Sequence, residues 1–247
     1  MNFLQEFLKI APYSLAVWRA GEAEAINQAY ADFKPQGKIL DIGCGFGEFM
    51  SVFSKVINGN KIDLGVDICQ SDINEALKKN VYEKIICCDA RDLHQIKDKY
   101  NTVLAVSVLE HISNVEKVFD QVQTVLNPGG YCIFTVPTNK LNSKLWTKLL
   151  HKTFKHVSLL SKEEWIKISE NSGLTIRQVK GTISQKELTA FESGLITALV
   201  TQPSRWLFKK RLLISPEARL KTFEKVAVAA VADEKMESNI LVVAQKI

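Results

Sequence analysis

Ile39-Leu40-Asp41-Ile42-Gly43-Cys44-Gly45-Phe46-Gly47-Glu48-Phe49 is the stretch that decides how this chain folds. An apolar strand, Ile39 to Ile42, runs straight into glycines at 43, 45 and 47. Apolar positions at helical spacing (Phe49, Met50, Phe53, Val56, Ile57) follow at once. Glycine is needed where a chain turns sharply at unusual φ, and where a ligand must approach backbone without meeting a Cβ. Strand, glycine turn and helix in that order make the first unit of a nucleotide-type α/β fold, with the ligand at the carboxyl end of the strand.

Downstream, the same alternation repeats. Lys61 to Asp67 reads as a second strand ending in a carboxylate, 20 residues after Gly47. A carboxylate at the tip of the second strand can accept hydrogen bonds from both hydroxyls of a ribose. A third apolar run, Ile85 to Cys88, ends in Asp89-Ala90, and a fourth, Thr102 to Val106, leads into Ser107-Val108-Leu109-Glu110-His111-Ile112. An amphipathic helix follows (Val115, Val118, Phe119, Val122, Val125, Leu126), closed by Asn127-Pro128-Gly129-Gly130, a helix stop and tight turn. Tyr131 to Val136 is the fifth strand. A helix from Lys162 to Ser172, a sixth strand over Leu174–Lys180 and a last strand over Asn239–Lys246 complete the pattern.

The glycine spacing separates two ligand classes. A dinucleotide fingerprint is G-x-G-x-x-G, but here the third glycine's place is taken by Glu48, a poor neighbour for pyrophosphate. Asp41 suits a ligand carrying positive charge. Residues 37–180 and the last strand resemble the class I S-adenosylmethionine (SAM)-dependent methyltransferases, whose ligand has a sulfonium and an ammonium but no phosphate. The resemblance implies an α/β fold: a Rossmann-like seven-stranded sheet, parallel with one antiparallel C-terminal strand, flanked by helices. Length and composition fit a single domain, with N-terminal cap helices over 1–35, a SAM-binding core over 36–182 and the last strand over 238–247; where the resemblance would join strands six and seven by a short hairpin, a helical insertion or lid over 183–237 is expected. The expected cofactor-binding residues are Asp41, Gly43, Cys44, Gly45 and Gly47, then Asp67 and Ile68 at the ribose, Asp89 and Ala90 at the adenine, and Ser107 after strand four.

Each acid also has a plainer use. Asp41 could cap the glycine turn, Asp67 could cap the next helix (a place Ser71 also fits), and Asp92 could share the work of Asp89. In proteins that this chain resembles, leading helices cover the cofactor and form one wall of the substrate pocket, which makes Tyr13, Trp18 and Arg19 candidates in the N-terminal helices divided here at Pro12. Arg19 could meet the SAM carboxylate, or pair with Glu22 or Glu24.

Methyl transfer from a sulfonium needs a general base only when the acceptor arrives protonated. For a hydroxyl acceptor the candidate catalytic residues are His111 and His156, with imidazole pKa values suited to the task. The Glu110-His111 pair resembles that of quinone-biosynthesis O-methyltransferases. Some of those carry an acid three residues before the Glu, placed to help hold a metal; here that residue is Ser107. Four histidines and five cysteines without C-x-x-C spacing give no metal ligand set. The Asn/Asp-Pro-Pro-aromatic run of enzymes acting on DNA-base amino groups is missing, as is the Pro-Cys nucleophile used at pyrimidine C5. A small or lipid-linked acceptor is therefore expected, methylated at O rather than N or C, and nucleic acid is disfavoured. The alternative is a SAM-binding regulatory partner without catalysis.

Charge and composition bear on partners and place. Residues 1–139 hold 13 Lys+Arg against 17 Asp+Glu, and residues 140–247 hold 19 against 10. A basic later half suits an anionic acceptor or surface, or is simply a lysine-rich solvated face. Within it, residues 205–214 mix aromatics with four basic residues, a pattern for a lid, an anionic membrane contact or a dimer contact. Scattered thiols and the lack of a basic, apolar leader predict a cytoplasmic protein, peripheral at a membrane if 205–214 binds one.

Overall fold

A computed structural model describes residues 1–57, 61–142, 156–192 and 235–247. The insertion beyond residue 192, with the 205–214 segment, therefore lies outside the described residues. Asn2 caps helix α1 (Phe3–Ile10), and Pro12 opens helix α2 (Tyr13–Phe33). The core then alternates strand and helix: β1 (Ile39–Ile42), α3 (Glu48–Phe53), β2 (Ile62–Asp67), α4 (Gln70–Leu77), β3 (Tyr82–Cys87), β4 (Tyr100–Val106), α5 (Val115–Val125) and β5 (Leu126–Pro137). Helix α6 (Lys162–Asn171), capped by a reciprocal Ser161–Glu164 box, precedes β6 (Leu174–Ser184). Residues 185–192 are helical, and β7 (Lys235–Lys246) is the seventh strand.

The seven strands lie in the order β3-β2-β1-β4-β5-β7-β6. Strands β1 to β5 pair in parallel, and β7 runs antiparallel to both β5 and β6. The expected sheet is thus observed. From β1 the chain winds outward through β2 and β3, then returns to β4 on the other side. That reversal opens a crevice at the carboxyl ends of β1 and β4, where open α/β sheets bind ligands.

Both sheet faces are buried, as parallel sheets require. Strand alternation sends Leu104 and Val106 towards α1–α3, and Val103 and Ala105 towards α5 and α6. On the second face Phe119 and Trp165 pack against Phe134, with ring centroids 5.2 and 6.3 Å away.

Two local features differ from the sequence expectation. Asn127–Gly130 does not form a free turn between helix and strand. Leu126 already pairs with Tyr100, and pairing resumes at Tyr131 with Thr102, so the four residues bulge within β5. Ser71 is not a helix cap either: α4 begins a residue earlier, with Cys69 at its N-cap.

Candidate active site

The glycine loop turns between β1 and α3 with φ of +73° at Gly43, +50° at Gly45 and +67° at Gly47. Gly43 and Cys44 both donate their N–H to the Val66 carbonyl, at 2.8 and 3.0 Å, which ties the turn to β2. A Cβ on Gly43 would stand 2.2 Å from Val108 Cγ2, so this position is closed to any side chain. At Gly45 the same atom would meet nothing nearer than 4.0 Å, so its backbone faces open space. That space is a cavity of ≈ 310 Å³, walled by Gly43, Cys44 and Gly45 below and by Arg19 and Phe49 beside them. Helices α1 and α2 roof it through Phe7, Ile10 and Leu15.

A second cavity, ≈ 250 Å³, shares Gly43, Val108 and His111 with the first and continues past Asp67, Ile68, Asp89 and Ala90. Asp67 sits between two loops, accepting from Gly45 N–H at 2.7 Å and from Cys69 N–H at 2.9 Å. Burial raises its carboxyl above the ordinary aspartate value. Ile68 is 67 % exposed, an apolar side chain held open on the cavity wall. Asp89 is engaged by Arg91, whose Nε and Nη2 donate to it at 3.0 and 2.6 Å. That pairing holds the Asp89 carboxyl below its usual range.

Asp41 lies beneath the first cavity, buried, and accepts a 2.6 Å bond from the Tyr82 hydroxyl. Burial pushes its carboxyl up to about 7, against the pull of the tyrosine bond. Across the cavity, Arg19 both lines the wall and donates to Glu22 Oε2 at 2.9 Å. Arg19 thus makes the expected pair with Glu22 while its side chain borders the cavity. Ser107 lies at the same mouth, at φ +46°, and its hydroxyl donates to Glu22 Oε1.

A third, smaller cavity of ≈ 100 Å³ shares Leu15, Arg19, Ser107 and His111 with the first. Its polar floor is Glu110, His111 and His156; Trp18, Pro137, Leu141 and Phe191 make its apolar walls. The two imidazoles stand with ring centroids 5.0 Å apart. Glu110 is fully enclosed, and burial pushes its carboxyl up to about 8.

Residues 15–179, two-thirds of the chain, match the family model described as methyltransferase domain. The chain belongs to this family. It is a class I methyltransferase, and its methyl donor is SAM. Among relatives, the ubiquinone biosynthesis O-methyltransferase of Vibrio atlanticus is 27% identical over 150 residues, which span 56% of this chain and 62% of that protein. The protein of the same name from Nitrobacter winogradskyi is 30% identical over 97 residues, 38% of this chain and 36% of its own. An uncharacterised protein of Methanocaldococcus jannaschii is 27% identical over 151 residues, 60% of this chain and 68% of its own. Among solved structures, a SAM-dependent methyltransferase of Archaeoglobus fulgidus superposes with TM-score 0.56 at 17% identity, covering 91% of this chain and 94% of that one. The geranyl diphosphate C-methyltransferase of Streptomyces coelicolor superposes with TM-score 0.59 at 13% identity, covering 95% and 84%.

The linings of the first two cavities are chemically compatible with a cationic nucleoside donor. The open backbone at Gly45 admits a ligand, and exposed Ile68 offers an apolar face for a base. The second cavity is bordered by an acid at each of two strand tips, and the first by Arg19 with Asp41 below. Three contributors went unmarked in the sequence. Arg91 stands two residues after Asp89, an acid–basic spacing that could have flagged it. Glu22 was noted only as a partner for Arg19, and Val108 had no visible signal.

Asp41 gives a pH test. A cationic ligand favours its ionised form, so binding is expected to draw off the proton that burial favours on Asp41. SAM affinity is expected to rise with pH up to about 7 and level off above it. Calorimetry in buffers of different ionisation enthalpy should detect proton release on the acidic side. An equally steep pH slope in Asp41→Asn would rule the residue out as its source.

Proposed function

We propose that this methyltransferase transfers its methyl group to a hydroxyl oxygen of a small or lipid-linked acceptor. The observation that carries this is the third cavity: an imidazole pair on a polar floor, apolar walls, and Ser107 and Arg19 in common with the cofactor cavity. SAM, when bound, supplies an activated methyl group with its leaving group built in, so the protein's task is positioning. Leu15, Trp18 and Phe191 hold a ring or chain and keep water away. His111 and His156 receive the hydroxyl and assist loss of its proton. Arg19, at the shared mouth, favours an acceptor carrying a carboxylate or phosphate, in keeping with the basic later half.

The ubiquinone biosynthesis O-methyltransferases among the relatives support an oxygen acceptor. No helix among the described residues is long and apolar enough to cross a membrane. We place the protein in the cytoplasm, with 205–214 as the segment to probe for contact with an anionic lipid surface. The test is incubation with methyl-labelled SAM and three probes: a polyprenylated catechol, a catechol carboxylate and an aromatic amine. Mass spectrometry is expected to find a labelled methyl ether on a catechol. Label only on nitrogen or carbon would overturn the proposal.

A further inference from the structure

Among the described residues, Glu110, His111 and His156 bring three candidate metal-ligand atoms together, each within 4.8 Å of the others. In sequence the two histidines are 45 residues apart. Backbone bonds close that gap. Val157 and Ser158 both donate their N–H to the Glu110 carbonyl, at 2.9 and 3.0 Å, and Ser158 Oγ donates to the Ile112 carbonyl at 2.8 Å. The segment that starts at His156 is thereby pinned to the turn that carries His111, so the meeting of the imidazoles is built into the fold.

The carboxylate supplies an independent sign. Glu110 is 2 % exposed, and its Oε2 has no hydrogen-bond partner among the described residues. A buried acceptor left unsatisfied carries the full desolvation penalty of that group, which is larger when it is charged. Its other oxygen lies 3.8 Å from His111 Nε2. A cation between the three groups would give this buried carboxylate a partner of opposite charge.

We propose that Glu110, His111 and His156 form a divalent metal site, suited to zinc, on the floor of the acceptor cavity. Two imidazoles and one carboxylate make a three-ligand set that leaves a fourth position open for water or substrate. Magnesium, which prefers oxygen ligands, suits the set poorly. Donor atoms on tetrahedral zinc stand roughly 3.4 Å apart, so the side chains must draw in by on the order of 1 Å.

The use of the ion rests on the O-methylation proposed above, with His111 and His156 assisting proton loss through the ion they hold rather than by taking the proton themselves. The open position accepts a lone pair from the acceptor hydroxyl and lowers its pKa. The O–H bond breaks and its proton passes to solvent. The oxygen then forms the O–CH3 bond while the donor's S–CH3 bond breaks, leaving that electron pair on sulfur.

To test the site, the full chain is stripped with chelator, dialysed against excess Zn2+ and then metal-free buffer, and its metal counted by mass spectrometry. Co2+ in place of zinc reads the geometry by visible absorption. One ion per chain is expected, with affinity at least tenfold lower in His156→Ala and in Glu110→Gln, and loss of the Co2+ bands in both. Calorimetric titration of SAM checks that each variant keeps its fold. His156 is partly exposed, so the decision rests on His156→Ala. No retained ion in the wild type, or equal retention in His156→Ala, would overturn the site. An ion held with no methyl ether formed would uphold it while sinking the O-methylation reading. Wild-type rates of ether formation by metal-free protein would overturn the ion's catalytic use.

Discussion

Asp67→Ala is expected to weaken SAM binding by roughly 100-fold while leaving the chain folded, since a hydrogen bond to a charged group contributes about 1.5–3 kcal/mol. The carboxylate stands at the tip of β2, in the cavity that Ile68 and Ala90 also line. It already accepts two backbone N–H groups, from Gly45 and Cys69, so it is fixed in direction before any ligand arrives. A ribose diol entering that cavity meets an aligned acceptor whose orientation costs little further entropy. The substitution removes the acceptor and also frees the Gly45 turn, so two effects act the same way. Asp67→Asn keeps the shape and one acceptor oxygen, and its loss should fall between. Calorimetry with SAM and S-adenosylhomocysteine measures both, with thermal unfolding as the check on folding. NAD should bind none of the three proteins, because Glu48 stands where a pyrophosphate would need a glycine. Binding by Asp67→Ala within threefold of wild type would remove Asp67 from the cofactor site.

Much of this architecture was legible because it rests on short-range rules. Glycines at 43, 45 and 47 are dictated by local backbone, and all three take positive φ. The buried stripe Val115, Val118, Phe119, Val122, Val125 repeats at helical spacing and forms α5 as read. Strand ends were less legible. β3 begins at Tyr82, before the apolar run at Ile85; Glu83 and Lys84, both exposed, hide the start of this edge strand. β6 and β7 run on to Ser184 and from Lys235, since each satisfies the other's backbone whatever its side chains.

The site was legible to the extent that its residues follow strand tips. Asp67, Ile68, Asp89 and Ala90 line one cavity, and Gly43, Cys44, Gly45 and Ser107 line another. What the sequence could not show was pairing at long range. Nothing near Glu22 says that Thr135 and Asn239 will donate to its carboxylate. Nothing near His156 says that the Glu110 carbonyl will bring it to His111. Such contacts depend on how separate segments dock, and no local period records them.

Glu22→Ala is expected to lower the unfolding midpoint by about 10 °C. Stripping one partner from a buried charge network costs about 3–5 kcal/mol, and a chain of this size loses about 2–4 °C per kcal/mol. Glu22 lies on α2 with 0 % exposure. Its Oε1 accepts from Trp18 Nε1 at 3.2 Å, Thr135 Oγ1 at 2.8 Å, Asn239 Nδ2 at 3.2 Å and the Ser107 hydroxyl; Oε2 accepts from Arg19. One carboxylate thus joins α2 to the ends of β4, β5 and β7, and alanine would leave five donors without it. The Arg19 share is the smallest, because that side chain is about a third exposed and water can replace the lost partner. Glu22→Gln keeps the volume and one acceptor, so it should lose less stability. It would still release Arg19 and reorient Ser107, both at the mouth shared by the cofactor and acceptor cavities. A folded Glu22→Gln protein with a raised KM for the acceptor would assign the network a positioning role. A Glu22→Ala midpoint within 2 °C of wild type would show that the donors find other partners and that the network does not hold α2 on the sheet.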